Sequence, residues 1–322
     1  MKDFYLWCDF IERGFLEGEF RALLAQEQIV GATSNPALFA QAITHSQAYK
    51  EAIAAFKGES SKALYESLAI EDIRRAADLL LPLYEKNKST GYISLEIDPF
   101  LEGDVNACVQ EAKRLHQALA RPNVMIKIPA TLSGLEAMAR LSAHMPINAT
   151  LVFSPTQAKE CALALKNAKH MGVISIFVSR LDVALDRFLT QAPITTAQRT
   201  QLAHQLGIAN ALECYQHIQN LNLPHLYPLF ASTGVKEPTL PKDYYIQALK
   251  MPHSINTAPL EALRAYHQAP SPAPTILEFS SLKDQLENLG FDLNQTYIEL
   301  LSAGLVSFQE SFEKLLKSLE NF

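Results

Sequence analysis

The chain has 322 residues, 48% of them hydrophobic and 19% charged, which is enough to bury a large core. Its formal net charge of −6 argues against nucleic acid or an anionic membrane surface as a partner. Cys8, Cys108, Cys161 and Cys214 are scattered without the spacing of a zinc site or a disulfide framework; the start lacks a signal-peptide pattern, and no apolar run is long enough to span a bilayer, so a cytoplasmic setting is expected.

Residues 4–9 read as a first apolar strand ending on an acid, Asp9, with an amphipathic helix over 15–26. Residues 29–33 read as a second strand, and Ser34-Asn35-Pro36 turns the chain into a helix. Two helices are expected within 46–86, the second with Ser67 as N-cap and Glu71 and Asp72 at its positive end. Residues 92–97 give a third strand, breaking on Asp98-Pro99, and a helix over 104–119 leads to the fourth.

That fourth strand, Val124-Met125-Ile126-Lys127-Ile128-Pro129, is the most informative stretch. It is apolar on both faces, as expected inside a parallel sheet covered by helices, and Pro129 ends the ladder. Lysine is rarely buried, and apolar surroundings disfavour an ammonium, so Lys127 reads as an amine prepared to attack a carbonyl. An ammonium snorkelling from the strand end, or paired with a carboxylate, is the alternative.

A helix over 134–144 and a fifth strand over 147–153 follow, and Ser154-Pro155 opens the next helix. The sixth strand, 173–178, runs into Ser179-Arg180, and a partly interrupted helical region covers 181–219. Residues 226–232 read as the seventh strand, although Pro228 removes a ladder donor, and 254–257 as the eighth. The proline-rich stretch 268–274 is a loop leading to a helical tail from about residue 275, with helices over 292–301 and 306–319. Too little chain lies beyond it for a second domain, so 1–322 reads as one domain. Eight strands alternating with helices, without a hairpin signal, indicate an α/β fold: a single (β/α)8 TIM barrel with additional C-terminal helices.

Asp9, Asn35, Glu96, Lys127, Asn148, Thr150, Ser175, Arg180 and Ser232 then fall in or just after strands, the end where such barrels carry their chemistry. Alternation sets Ser94 with Glu96, Asn148 with Thr150, and Ser175 with Phe177 on common sides of their strands. A self-satisfied polar plug is the competing explanation.

Five segments carry a resemblance. Gly31-Ala32-Thr33-Ser34-Asn35-Pro36-Ala37-Leu38-Phe39, Ser94-Leu95-Glu96-Ile97-Asp98-Pro99 and Ile126-Lys127-Ile128-Pro129-Ala130-Thr131 resemble motifs of transaldolases, in family order. Ile147-Asn148-Ala149-Thr150-Leu151-Val152-Phe153-Ser154 and Phe177-Val178-Ser179-Arg180 resemble the next two. The resemblance implies transfer of a dihydroxyacetone unit from fructose 6-phosphate or sedoheptulose 7-phosphate to an aldose phosphate, in the non-oxidative pentose phosphate pathway, without a metal or organic cofactor. It implies Lys127 as the Schiff-base residue, Asp9 as general base, and Glu96 with Thr150 as the proton shuttle. Asn35, Asn148 and Ser175 would hold the three-carbon unit, with Phe177 beside it. Arg180 and Ser232 would hold the phosphate. Where many transaldolases carry an arginine near that serine, this chain has Ser232-Thr233-Gly234-Val235-Lys236, so Lys236 is the expected replacement cation.

Three rivals stay open. A Schiff-base lyase like fructose-6-phosphate aldolase would cleave without transfer; Glu96, Phe177 and the tail favour the transferase by resemblance. A metal-dependent hydrolase would want a His-x-His strand end, which is missing. A non-catalytic sugar-phosphate-binding protein need not keep Lys127, Glu96 and Asp9 together. Monomer and homodimer both remain open.

Overall fold

The computed structural model describes residues 3–56 and 60–320. Eight strands among them, β1 (Phe4–Cys8), β2 (Gly31–Ala32), β3 (Tyr92–Glu96), β4 (Val124–Pro129), β5 (Ile147–Val152), β6 (Gly172–Phe177), β7 (Leu226–Ala231) and β8 (Ser254–Ala258), pair in sequence order, all parallel. β8 pairs back onto β1 through Phe4↔Ser254 to Cys8↔Ala258, which closes the barrel. β3 to β8 are buried along their whole length, as helices on the outer face require.

Helices α1 (Arg13–Glu17) and α2 (Glu19–Ala25) follow β1; α3 (Pro36–His45), α4 (Lys50–Ala55) and α5 (Ser61–Lys86) follow β2. Single helices α6 (Val105–Leu119), α7 (Leu132–Leu141) and α8 (Pro155–Ala164) follow β3, β4 and β5. α9 (Ser179–Gln191), α10 (Thr196–Leu202) and α11 (Leu206–Gln219) come after β6, and α12 (Tyr244–Ala248) after β7. Beyond β8 stand α13 (Leu260–Gln268), α14 (Phe279–Asn288) and α15 (Leu293–Leu319). Among the described residues no helix is long and apolar enough to cross a membrane.

Several boundaries differ from the sequence reading, for local reasons. The helix expected over 15–26 is broken at Gly18, a poor helix former whose backbone lies outside the helical region. Ser67 is not an N-cap. The apolar stripe of α5 extends back through Leu64 and Tyr65, and Ser60 caps it, accepting from the Ala63 N–H at 3.2 Å. Glu71 and Asp72 consequently fall mid-helix, where Arg13 Nη2 and Nε reach them at 2.7 and 2.8 Å and Tyr49 donates to Asp72 at 2.7 Å. The two tail helices are one continuous α15. Pro228 is tolerated because the ladder from β7 to β8 begins only at Leu229↔Ile255, past the missing donor.

Trp7, Met125, Val173, Leu229 and Ile255 form an apolar layer inside the barrel. Two residues further along their strands come Asp9, Lys127, Ser175, Ala231 and Thr257, so alternation stacks a largely polar layer on the apolar one. Gly31 is what admits the indole, because a Cβ there would lie 2.5 Å from ring atoms of Trp7. Gly31→Ala is expected to destabilise the fold by about 1–3 kcal/mol through overpacking, read by urea unfolding. Unchanged stability would mean that the Trp7 ring is free to move aside.

Candidate active site

Register brings the first group together. Glu96 pairs with Lys127 and Lys127 with Asn148 across β3, β4 and β5, so the three side chains project from adjacent strands toward the same side. Lys127 is 5% exposed; its Nζ donates to the Ser34 carbonyl at 3.1 Å and stands 3.5 Å from Glu96 Oε2. Neither Glu96 oxygen accepts a hydrogen bond of ordinary geometry, and the buried Thr150 hydroxyl on the next strand likewise has no partner. Burial pushes the Glu96 carboxyl up to about 7 against the opposing pull of Lys127, with the Asp9 charge adding to the rise. Glu96 is therefore a carboxyl that exchanges its proton near neutrality.

Asp9 follows β1 and is fixed by its own backbone N–H on the Ala258 carbonyl at 2.9 Å. Thr33 Oγ1 donates to Asp9 Oδ1 at 2.7 Å and in turn accepts from Thr257 Oγ1 at 2.7 Å, a relay joining β1, the end of β2 and β8. Burial raises the Asp9 pKa, while Lys127 and the Thr33 bond oppose the rise.

A cavity of about 210 Å³ opens over these groups, walled by Asp9, Asn35, Lys127, Arg180, Ser232 and Phe308 among others. Ser175 and Phe177 also face it. Asn35 caps α3, its Oδ1 accepting from the Leu38 N–H at 3.0 Å, which leaves its amide N–H groups for the cavity. The Arg180 guanidinium lies 5.1 Å over the Phe177 ring centroid and forms no ion pair among the described residues. Nearby acids are engaged elsewhere: Asp182 accepts from the Gly207 N–H and the Tyr245 hydroxyl, and Asp186 faces His204 at 3.1 Å. Burial lowers the Arg180 pKa, and the Glu96 charge opposes that. A half-buried guanidinium without a carboxylate is suited to an external anion. Ser232, held at φ 54°, sets its hydroxyl 3.0 Å from that of Ser179 at the start of α9, beside Arg180.

Four expected residues do not wall this cavity: Glu96 and Thr150 are buried on the strands either side of Lys127, and Asn148 and Lys236 also lie off it. Asn148 is fully buried one layer behind the cavity, donating to Ser94 Oγ at 2.9 Å and accepting from Ser175 Oγ at 2.7 Å. Lys236 is exposed on the loop after β7 and is not a cavity wall, so Arg180 is the cation at that end. Thr33 and Thr257 went unassigned in the sequence, although Thr33 lies inside the Gly31–Phe39 stretch; Phe308, 5.9 Å from Lys127 Nζ, gave no local signal because it comes from the far end of the chain. A larger cavity of about 470 Å³ between α8, α11, α14 and α15 holds Glu213, His217 and Lys283, which are spent on surface pairs.

Comparison with known proteins gives the family. Residues 6–319 match the family described as Transaldolase/Fructose-6-phosphate aldolase. A protein named Transaldolase from Helicobacter pylori (strain P12) is 51% identical over 324 residues, covering 99% of this chain and 100% of its own. A protein of the same name from Campylobacter jejuni subsp. doylei is 42% identical over 339 residues, again covering 99% and 100%.

The Glu96 shift has a consequence for stability. Its folded pKa, about 7, lies above the ordinary 4.5, so the native state holds the extra proton between those values and stability falls as pH rises through that window. The loss is of the order of 3 kcal/mol. Glu96→Gln is expected to gain stability relative to the unaltered protein between pH 5 and pH 8, measured by urea unfolding at both. Equal differences at the two pH values would contradict the shift.

Proposed function

The chain belongs to the transaldolase/fructose-6-phosphate aldolase family and is an enzyme of the transaldolase class, and we propose that Lys127 forms the Schiff base with its ketose phosphate donor. The observation that carries this reading is the buried Lys127 amine, facing one carboxylate at 3.5 Å on the floor of a cavity that also holds Asp9 and an unpaired arginine.

In the proposed reaction the neutral amine adds to the C2 carbonyl of fructose 6-phosphate or sedoheptulose 7-phosphate. Glu96, protonated in part near neutrality, gives a proton to the departing hydroxyl, and water leaves as the iminium forms. Thr150, whose hydroxyl is otherwise unpartnered, orients that water. Asp9 takes the proton of the C4 hydroxyl, the C3–C4 bond breaks, and its electrons pass into the iminium to give an enamine. The first aldose phosphate leaves. The enamine carbon then attacks the acceptor aldehyde, Asp9 returns its proton to the new alkoxide, and water hydrolyses the imine to release product and free Lys127.

The amide of Asn35 and the hydroxyl of Ser175 are positioned to hold the three-carbon unit, and Asn148 acts through Ser175. Arg180 with Ser232 takes the phosphate, whose binding holds the reacting carbons over the amine. The Thr257–Thr33 relay keeps the Asp9 carboxylate oriented.

The test is product formation. With fructose 6-phosphate and erythrose 4-phosphate the protein is expected to make sedoheptulose 7-phosphate and glyceraldehyde 3-phosphate. Release of free dihydroxyacetone without transfer would assign it to the aldolase branch instead. Lys127→Ala should fall to background. Asp9→Ala should lose about 10²–10⁴-fold in kcat while still forming the imine; a variant unable to form the imine would remove Asp9 from the cleavage step.

A further inference from the structure

Helix α15 walls the Lys127 cavity with Ser307, Phe308 and Ser311. Two contacts fix where that wall stands. At Gly304 an added Cβ would lie 2.9 Å from Leu151 Cδ2 and 3.4 Å from Arg180 Nη1, so the helix backbone comes up against the side chain that faces the anion end. Leu151 itself projects there because β5 shifts register between Ala149 and Val152, with Leu151 at φ 58°. One turn further, the Phe308 ring centroid is 5.9 Å from Lys127 Nζ. At a rise of about 1.5 Å per residue these two anchors are roughly 6 Å apart along the helix. α15 therefore runs from the guanidinium toward the amine, with Ser307 between the two anchors and Ser311 beyond Phe308.

Serines on a helix are ordinarily a solvated face. This face differs in what it spans: a buried amine at one end and, at the other, an arginine without a carboxylate. Neither Ser307 nor Ser311 has a hydrogen-bond partner among the described residues. A hydroxyl both donates and accepts, which matches the hydroxyls of a sugar chain.

We propose that Ser307 binds the hydroxyls of the aldose segment of the substrate, the carbons between the C3–C4 bond and the phosphate, and that Gly304 is the positioning residue that lets α15 close against Arg180. The C-terminal helix is then a selector for polyhydroxylated aldose phosphates, and this inference rests on the Schiff-base reading of Lys127. Acceptors with more hydroxyls along that segment depend more on Ser307 than shorter ones.

Steady-state kinetics on the full chain test it. Ser307→Ala is expected to raise KM for erythrose 4-phosphate roughly two- to tenfold, the worth of one neutral hydrogen bond, with a smaller rise for glyceraldehyde 3-phosphate and kcat little changed. Ser302→Ala, on an exposed part of the same helix outside the cavity, should change neither. Gly304→Ala should weaken inhibition by inorganic phosphate about fivefold or more in a protein that still folds and turns over, the added Cβ pressing on Leu151 and Arg180 at some cost in melting temperature. Unchanged KM values in an active Ser307→Ala protein would overturn the selector. Unchanged phosphate inhibition in Gly304→Ala would overturn the positioning role. Failure of the unaltered protein to transfer at all would instead overturn the Lys127 reading.

Discussion

A lysine and a glutamate face each other at 3.5 Å inside a barrel whose neighbouring layer is apolar, and the other polar groups of the site are arranged around that pair. Taking either charge out of water is costly, and their mutual attraction offsets the cost only in part. The residual shows on Glu96, whose carboxyl is pushed up to about 7 by burial against the opposing pull of the lysine beside it. A carboxyl with two unbonded oxygens in such a place gives the fold poor value as a structural tie. It is better suited to passing a proton, which is what assembly and hydrolysis of an imine need.

From this pair the remaining site follows in two directions. Toward β1, Asp9 is held by the Ala258 carbonyl and by a relay of two threonines, so a second carboxylate faces the amine from another strand. Toward α9, Arg180 and Ser232 put a guanidinium and a hydroxyl on the cavity wall. The walls therefore come from residues near both ends of the sequence, from Asp9 to Ser311. Closure of the sheet by β8 on β1 is what makes these distant segments neighbours. The continuity of α15 brings Phe308 within reach of Lys127.

Much of this was legible in the chain itself. Strand period and the apolar run around Lys127 give a parallel barrel, and the polar residues at strand ends give the layer in which Asp9, Glu96 and Lys127 meet. What was not legible lies in contacts between segments remote in sequence. Ser67 looked like a cap because it precedes acids suited to a helix start, yet those acids are held by Arg13, 58 and 59 residues away. Asn148 shares its strand face with Thr150, but only the neighbouring strands show its two bonds to be taken by Ser94 and Ser175. Lys236 had the right charge, and alternation cannot say where a loop residue points; it lies outside the cavity. Phe308 sits in an amphipathic helix like many others, and nothing local ties it to an amine 181 positions earlier.

The central claim is that Lys127 forms a covalent imine, and borohydride trapping tests it most directly. The protein would be incubated with fructose 6-phosphate, reduced, digested, and mapped by peptide mass spectrometry. The account predicts a donor-dependent mass increase on the peptide carrying Lys127. An adduct on another lysine, or none in a protein that turns over the sugar phosphate, would contradict it.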